Sequence, residues 1–232
     1  LVYALTTLGE YDLGIEYAEE LEKSALTEYR KATAISAKAE IYLLKQDTIG
    51  AIKYFEKAIE KVSEPVTIGF LSDLYEQIAL RTGSIDDLNQ AFFYANEAIN
   101  QNKIESRSKA LAYSSRGLLH RDFTGNIVAA ITDFTKSIEI YYKLFEQPNI
   151  YDFLNRLRIY KKSQMYDYMC SDLLELKKLI ADQTFPDEEL DLIEDYLWED
   201  LNINLNSFID KFKFQECLST YEYYSDVFII KK

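Results

Sequence analysis

A small residue, a second apolar residue four places on and a third three places further form a pattern that returns along the whole chain. No other feature constrains the fold as much. Ala51, Phe55 and Ala58 carry it, then Ala91, Ala95 and Ala98, then Ala130, Phe134 and Ser137. Steps of four and three lie on one face of a helix. With Gly14, Ala51, Ala91, Ala130, Met169 and Cys217 as markers, successive units are 37, 40, 39, 39 and 48 residues apart. A nearly constant period in this range is the mark of stacked supersecondary units. The remaining units read Ala18 and Leu21 after Gly14, Leu173 and Leu176 after Met169, and Tyr221 and Tyr224 after Cys217.

Each marker is preceded by a second stripe with the same steps. These stripes are Ile35, Ala39 and Tyr42; Leu71, Tyr75 and Ile78; Tyr113, Gly117 and His120; Phe153, Leu157 and Tyr160; Leu201, Leu205 and Phe208. Between the two stripes lies a turn: LGEYD at 8–12, KQDT at 45–48, RTGSIDD at 81–87, DFTGN at 122–126 and SQMYD at 163–167. Gly9, Gly83 and Gly125 supply the backbone freedom that a tight helix–helix turn needs. Pro65 and Pro186 fall between units, where a helix has already ended. The spacing therefore predicts an all-α chain of antiparallel helical hairpins. Their bounds are 1–24 (partial), 32–64, 68–102, 109–144, 150–182 and 187–232, in a single solenoid over 1–232. Small residues let helix backbones approach, and rings fill the space their neighbours leave.

The pattern resembles the tetratricopeptide repeat. That repeat places a small residue four after a large one, then Tyr, and after the turn Ala, an aromatic and Ala. YSSRGLLHRDFTGNIVAAITDFTKSIEI and IYLLKQDTIGAIKYFEKAIEKVSEP carry the resemblance most fully, and it extends over nearly the whole chain. The periods exceed the family's usual length of about 34 residues. The third unit holds extra residues around TGSIDDLNQ, and the last follows the longer segment ADQTFPDEEL. Met169 and Cys217 stand where the family has Ala, which predicts looser or differently angled packing in the later units.

The resemblance implies a right-handed α-α superhelix whose concave groove is lined by first helices, and a role in binding a protein or peptide. Carried over position by position, the groove residues are Ser36 and Glu40; Ser72 and Glu76; Ser114, Leu118 and Arg121; Asn155, Arg158 and Lys161; Asn202 and Asn206. Asn grips a peptide backbone through a donor and an acceptor together. Arg121, Arg158 and Lys161 make a basic stretch suited to a carboxylate or an acidic segment. Arg121, Asn155, Arg158, Lys161, Asn202 and Asn206 are thus the candidate contacts. The Lys and two Asn of chaperone-binding family members have no counterpart here, so a chaperone-tail role is not supported.

Composition narrows the classes further. Of 232 residues, 48% are apolar and 28% charged, as in a folded protein, and only 7 are Gly and 3 Pro, too few for a turn-rich sheet fold. A net charge of −13 opposes general nucleic-acid binding. No apolar run is long enough to cross a bilayer, and the start has no signal pattern. Those features weakly favour the cytoplasm. The chain starts at Leu1 and not Met, which leaves open that it is a piece of a longer protein.

Cys170 and Cys217 share no metal-ligand spacing and sit at apolar repeat positions, so both read as buried thiols. The single His, His120, occupies a packing position and builds no nucleophile–His–acid set. No phosphate loop, HExxH or paired-Cys motif occurs, so neither catalysis nor a metal or cofactor is expected. The acidic run FPDEELDLIEDYLWED at 185–200 reads as an amphipathic helix, with an acidic strip for a basic partner as the functional alternative.

Both ends look unfinished, the last one reading SDVFIIKK. Flanking protein, end-to-end or homo-oligomeric contact, and local folding would each cover them. The expectation is a non-catalytic interaction scaffold. The alternative is a sensor array in a larger bacterial protein whose output domain is not in this sequence.

Overall fold

The computed structural model describes residues 2–101, 105–182, 186–200 and Cys217. Among them the secondary structure is helical and contains no strand, and within each of two units consecutive helices pack on one another. The packing divides into two units, Leu1–Asn126 and Ile127–Lys232.

The first unit holds α1 (Val2–Thr7), α2 (Tyr11–Ser24), α3 (Glu28–Leu44), α4 (Thr48–Lys61), α5 (Pro65–Thr82), α6 (Ile85–Gln101) and α7 (Arg107–Leu119). A wider π-type turn, His120–Thr124, prolongs α7. Side-chain oxygens start several of these helices by accepting from orphan backbone N–H groups. Thr27 takes Arg30 N at 3.2 Å, Asp47 takes Gly50 N at 2.8 Å and Ser106 takes Lys109 N at 3.2 Å. Pro65 occupies the first turn of α5, where its missing N–H costs nothing.

Five of the turns between helices contain one residue in left-handed conformation that falls at or beside a turn the sequence predicts. Along the chain these are Gly9, Gln46, Gly83, Gly125 and Gln164, with φ of 78°, 59°, 69°, 63° and 58°. Three are the glycines expected from the sequence. At the other two a glutamine tolerates the same geometry.

Within the first unit α2 packs on α3, α3 on α4, α5 on α6, and α6 on α7, while first helices touch along α1–α3 and α5–α7. The predicted stripes face these contacts: Ala51, Phe55, Ala91, Ala95 and Ala98 are fully buried. Backbones do come close. Ser72 Oγ donates to the Ala91 carbonyl at 2.9 Å, joining α5 to α6. A Cβ added to Gly14 would lie 3.1 Å from Ile41 Cδ1. Ion pairs tie α2 to its neighbours: Lys38–Glu19 at 2.9 Å, Lys45–Asp12 at 3.0 Å and Lys57–Glu22 at 2.7 Å.

The second unit holds α8 (Ile127–Phe145), α9 (Ile150–Lys162), α10 (Tyr166–Asp182) and α11 (Asp187–Asp195), the last prolonged by a π-type turn at Tyr196–Asp200. Helix α9 packs on α8, α10 and α11. Its core is built from larger side chains, among them Phe153, Leu157, Met169, Leu173, Leu176 and Ile193. The acidic run is helical, as expected, and turns Ile193 and Leu197 inward. Ser137, at a small position of α8, is fully buried, and its Oγ has no hydrogen-bond partner among the described residues.

One expectation is overturned here. Cys170 and Cys217 are not free thiols but form a disulfide, with Cα atoms 6.0 Å apart and a sequence separation of 47. Both side chains are buried as expected. Both belong to the same buried core cluster of the second unit.

Candidate functional site

The first helices of the first unit carry a recessed face. On α3, Arg30, Thr33, Ala37 and Leu44 follow one another along the helix at steps of three, four and seven, with Glu40 beside them. Ala34 and Ala37 are too small to fill the space above this face. The result is a cavity of about 850 Å³ floored by Ala34, Ala37, Ile41 and Phe70 and edged by Leu21 and Leu44. Leu21 is a repeat-stripe residue, yet it is 51% exposed because it borders this cavity instead of a neighbouring helix. Glu40, a groove position by the family resemblance, does line it, and loss of solvation pushes its carboxyl upward.

The same face continues on α5 and α7. Asp73 and Glu76 lie one turn apart on α5. Ser115 of α7 donates Oγ–H to Asp73 Oδ1 at 2.6 Å. Burial pushes Asp73 up, and that hydrogen bond opposes the shift. Burial likewise pushes Glu76 up to about 7, reinforced by the charges of Asp73 and Asp122 and opposed by Arg121. Arg121 is held bidentate by Asp122, with Nε at 2.6 Å and Nη2 at 2.7 Å from the two carboxylate oxygens. Its charge is therefore largely spent beside it, and the surroundings of Glu76 remain acidic. Of the other groove positions, Ser36 approaches Thr67 at 3.5 Å, and Ser114 and Leu118 are half-buried. Ser72 belongs to the α5–α6 contact and not to any groove, a correction to the sequence reading. His120 leans on the Phe92 ring, with centroids 5.0 Å apart, in a packing position as expected.

In the second unit α9 is buried on most of its circumference. Tyr151, Asn155, Arg158 and Lys162 form its outward strip at steps of four, three and four. Asn155 and Arg158 thus share a strip, and Lys161 sits half-buried at its edge. The Arg158 guanidinium lies over the Tyr196 ring, 5.4 Å from its centroid. Asn202 and Asn206 lie outside the described residues.

Two features escaped sequence reasoning. One is Asp73, set off from the many other acids only by its neighbour Ser115 on the next first helix. The other is Arg156, buried between Asp172 at 2.8 Å and Thr135 at 3.1 Å. Burial pushes Asp172 up to about 6 against the pull of Arg156.

Among the described residues no group of His, Cys, Asp and Glu has a metal-holding arrangement, and no helix is long and apolar enough to cross a membrane. No protein-family model matches the chain, and no curated protein sequence does. Among solved structures, the chain is similar in fold to BtubC (BKLC) from P. vanneervenii. The TM-score is 0.59 at 16% identity, covering 80% of each chain. At that identity the likeness is one of fold alone.

Proposed function

We propose that the chain is a tetratricopeptide-like, non-catalytic scaffold that takes a protein or peptide segment along its first-helix face. The observation that carries this reading is the 850 Å³ cavity over α3, which no described side chain fills. Its volume suits a specific site, and its mixture of an apolar floor with a few charged groups is what such sites use. Half-buried carboxyls at Asp73 and Glu76 add a preference for cationic side chains farther along the face.

Panning a display library of 12-residue peptides against the full chain tests this. Enriched peptides are expected to lose at least tenfold in affinity on Thr33→Trp, since Thr33 is exposed and its replacement fills the cavity. A double variant, Arg158→Glu with Asn206→Ala, asks whether the second unit contributes. Retained affinity there removes Arg158 and Asn206 from the site. Equal binding to wild type and Thr33→Trp, or no enrichment at all, refutes the scaffold reading for this face.

A further inference from the structure

The charges of α3 are not evenly satisfied. It has five charged residues: Glu28, Arg30, Lys31, Lys38 and Glu40. Glu28 and Lys31 pair with each other at 2.7 Å, and Lys38 pairs with Glu19 at 2.9 Å. The side chains of Arg30 and Glu40 make no ion pair or hydrogen bond among the described residues, and both line the cavity. A guanidinium and a carboxylate thus both line a largely apolar trough. They are ten residues apart, which is about 15 Å along a helix axis. The site calls for an occupant with an acid, then large apolar side chains, then a base, spread over that length.

The chain itself contains such a segment. Residues 225–232 read Ser-Asp-Val-Phe-Ile-Ile-Lys-Lys. From Asp226 to Lys231 an extended chain spans about 17 Å. Phe228, Ile229 and Ile230 lie between the two charges. These residues are outside the described ones, and the match is one of sequence chemistry and reach.

We propose that the α3 cavity of one molecule receives residues 225–232 of a second copy, running in the same direction as α3. Asp226 meets Arg30, the Phe228–Ile230 side chains enter the apolar trough, and Lys231 or Lys232 meets Glu40. This rests on the peptide-binding reading of the same face and names its occupant. The contact joins two different surfaces, so it is heterologous and propagates into rings or open chains of molecules. Two complementary ion pairs fix the direction of the segment, because reversing it sets like charges together at both ends.

Sedimentation velocity over a hundredfold range of concentration tests the proposal. The full chain is expected to associate as concentration rises, and a chain ending at Tyr224 to remain monomeric. A fluorescent peptide of residues 225–232, titrated onto the shortened chain, is expected to bind. Its affinity should fall at least tenfold on Thr33→Trp and on Arg30→Glu. On the Arg30→Glu chain, a peptide carrying Asp226→Lys should recover most of the loss. Circular dichroism melts of each variant verify that it is folded, and the exposed positions of Thr33 and Arg30 make that the expected result. Identical sedimentation of full and shortened chains, or peptide binding that ignores Thr33→Trp, overturns the proposal. If library peptides bind in a Thr33-dependent way while the 225–232 peptide does not, this occupant is wrong and the scaffold reading stands.

Discussion

The two units solve one packing problem in different ways. In Leu1–Asn126 the second helices present Ala51, Ala58, Ala91, Ala95 and Ala98, and close approach is sealed by small side chains and backbone contact. In Ile127–Lys232 the equivalent stripe on α10 is Met169, Leu173 and Leu176. Larger residues hold helices farther apart and leave space that must be filled or bridged. The second unit bridges it with a disulfide and with the Arg156–Asp172 pair, whose side chains are only 10% and 13% exposed. The first unit has a comparable cation in Lys38, but its partner Glu19 keeps 44% exposure and stays near solvent. Among the described residues the first unit has no disulfide and no ion pair buried on both sides, whereas the second, around α10, has one of each.

The sharpest way to break this contrast is Arg156→Ala. It leaves Asp172 buried without its cation and is expected to cost about 3 to 5 kcal/mol, read by urea denaturation. Removing the disulfide is the next largest change. Cys170→Ala with Cys217→Ala should cost about 2 to 4 kcal/mol. Reductant should lower the melting temperature of the wild type and not of that double variant. Ala51→Leu probes the other unit, where overpacking should cost about 1 to 3 kcal/mol. Met169→Leu at the matching position should cost less than about 1.5 kcal/mol, since volume is conserved.

Protonation sharpens the comparison further. Glu76 titrates near 7 when folded against an ordinary 4.5, so the folded state holds an extra proton between those values. Its contribution to stability is present below the ordinary value and is lost as pH rises through about 7. Glu76→Gln should therefore stabilise the chain at pH 8 by on the order of 1 kcal/mol and do little at pH 4. The smallest expected effect is Gln164→Gly. Relief of a left-handed non-glycine residue, less the entropy glycine adds to the unfolded chain, should give at most about 1 kcal/mol of stabilisation. Thermal melts at matched pH check both.

The hairpin array was legible because side-chain spacing alone encodes it. Ala51 with Phe55 and Leu71 with Tyr75 specify a helix face whatever lies elsewhere in the chain. Turns were legible at Gly9, Gly83 and Gly125, where residue type reports backbone conformation, and not at Gln46 and Gln164, where it does not. The disulfide was hidden because the two cysteines are 47 positions apart, and the path of the chain between them determines whether Cys170 meets Cys217. Spacing gave no sign of that path. The candidate site was only partly legible. Glu40 and Glu76 were placed on the recessed face through a family resemblance. The cavity over α3 depends on what Ala34 and Ala37 fail to fill, and a stripe pattern records residues but not the space between them. Ser72 was misplaced for a related reason: its register is that of a groove residue, but α6 comes close enough to claim its hydroxyl.

The left-handed joints have a consequence for how such a chain grows. Leaving aside Glu146, which joins one unit of the pattern to the next, they occur at positions 9, 46, 83, 125 and 164, steps of 37, 37, 42 and 39 residues, so the segment from joint to joint changes length while the joint keeps its form. A residue in that conformation ends one helix, and beside three of the joints a neighbouring Asp or Thr side chain accepts from the backbone that follows. A gene that copies or deletes the stretch between two such points delivers a cassette that arrives with its own bend. Length becomes a quantity that heredity can adjust without redesigning the walls on either side.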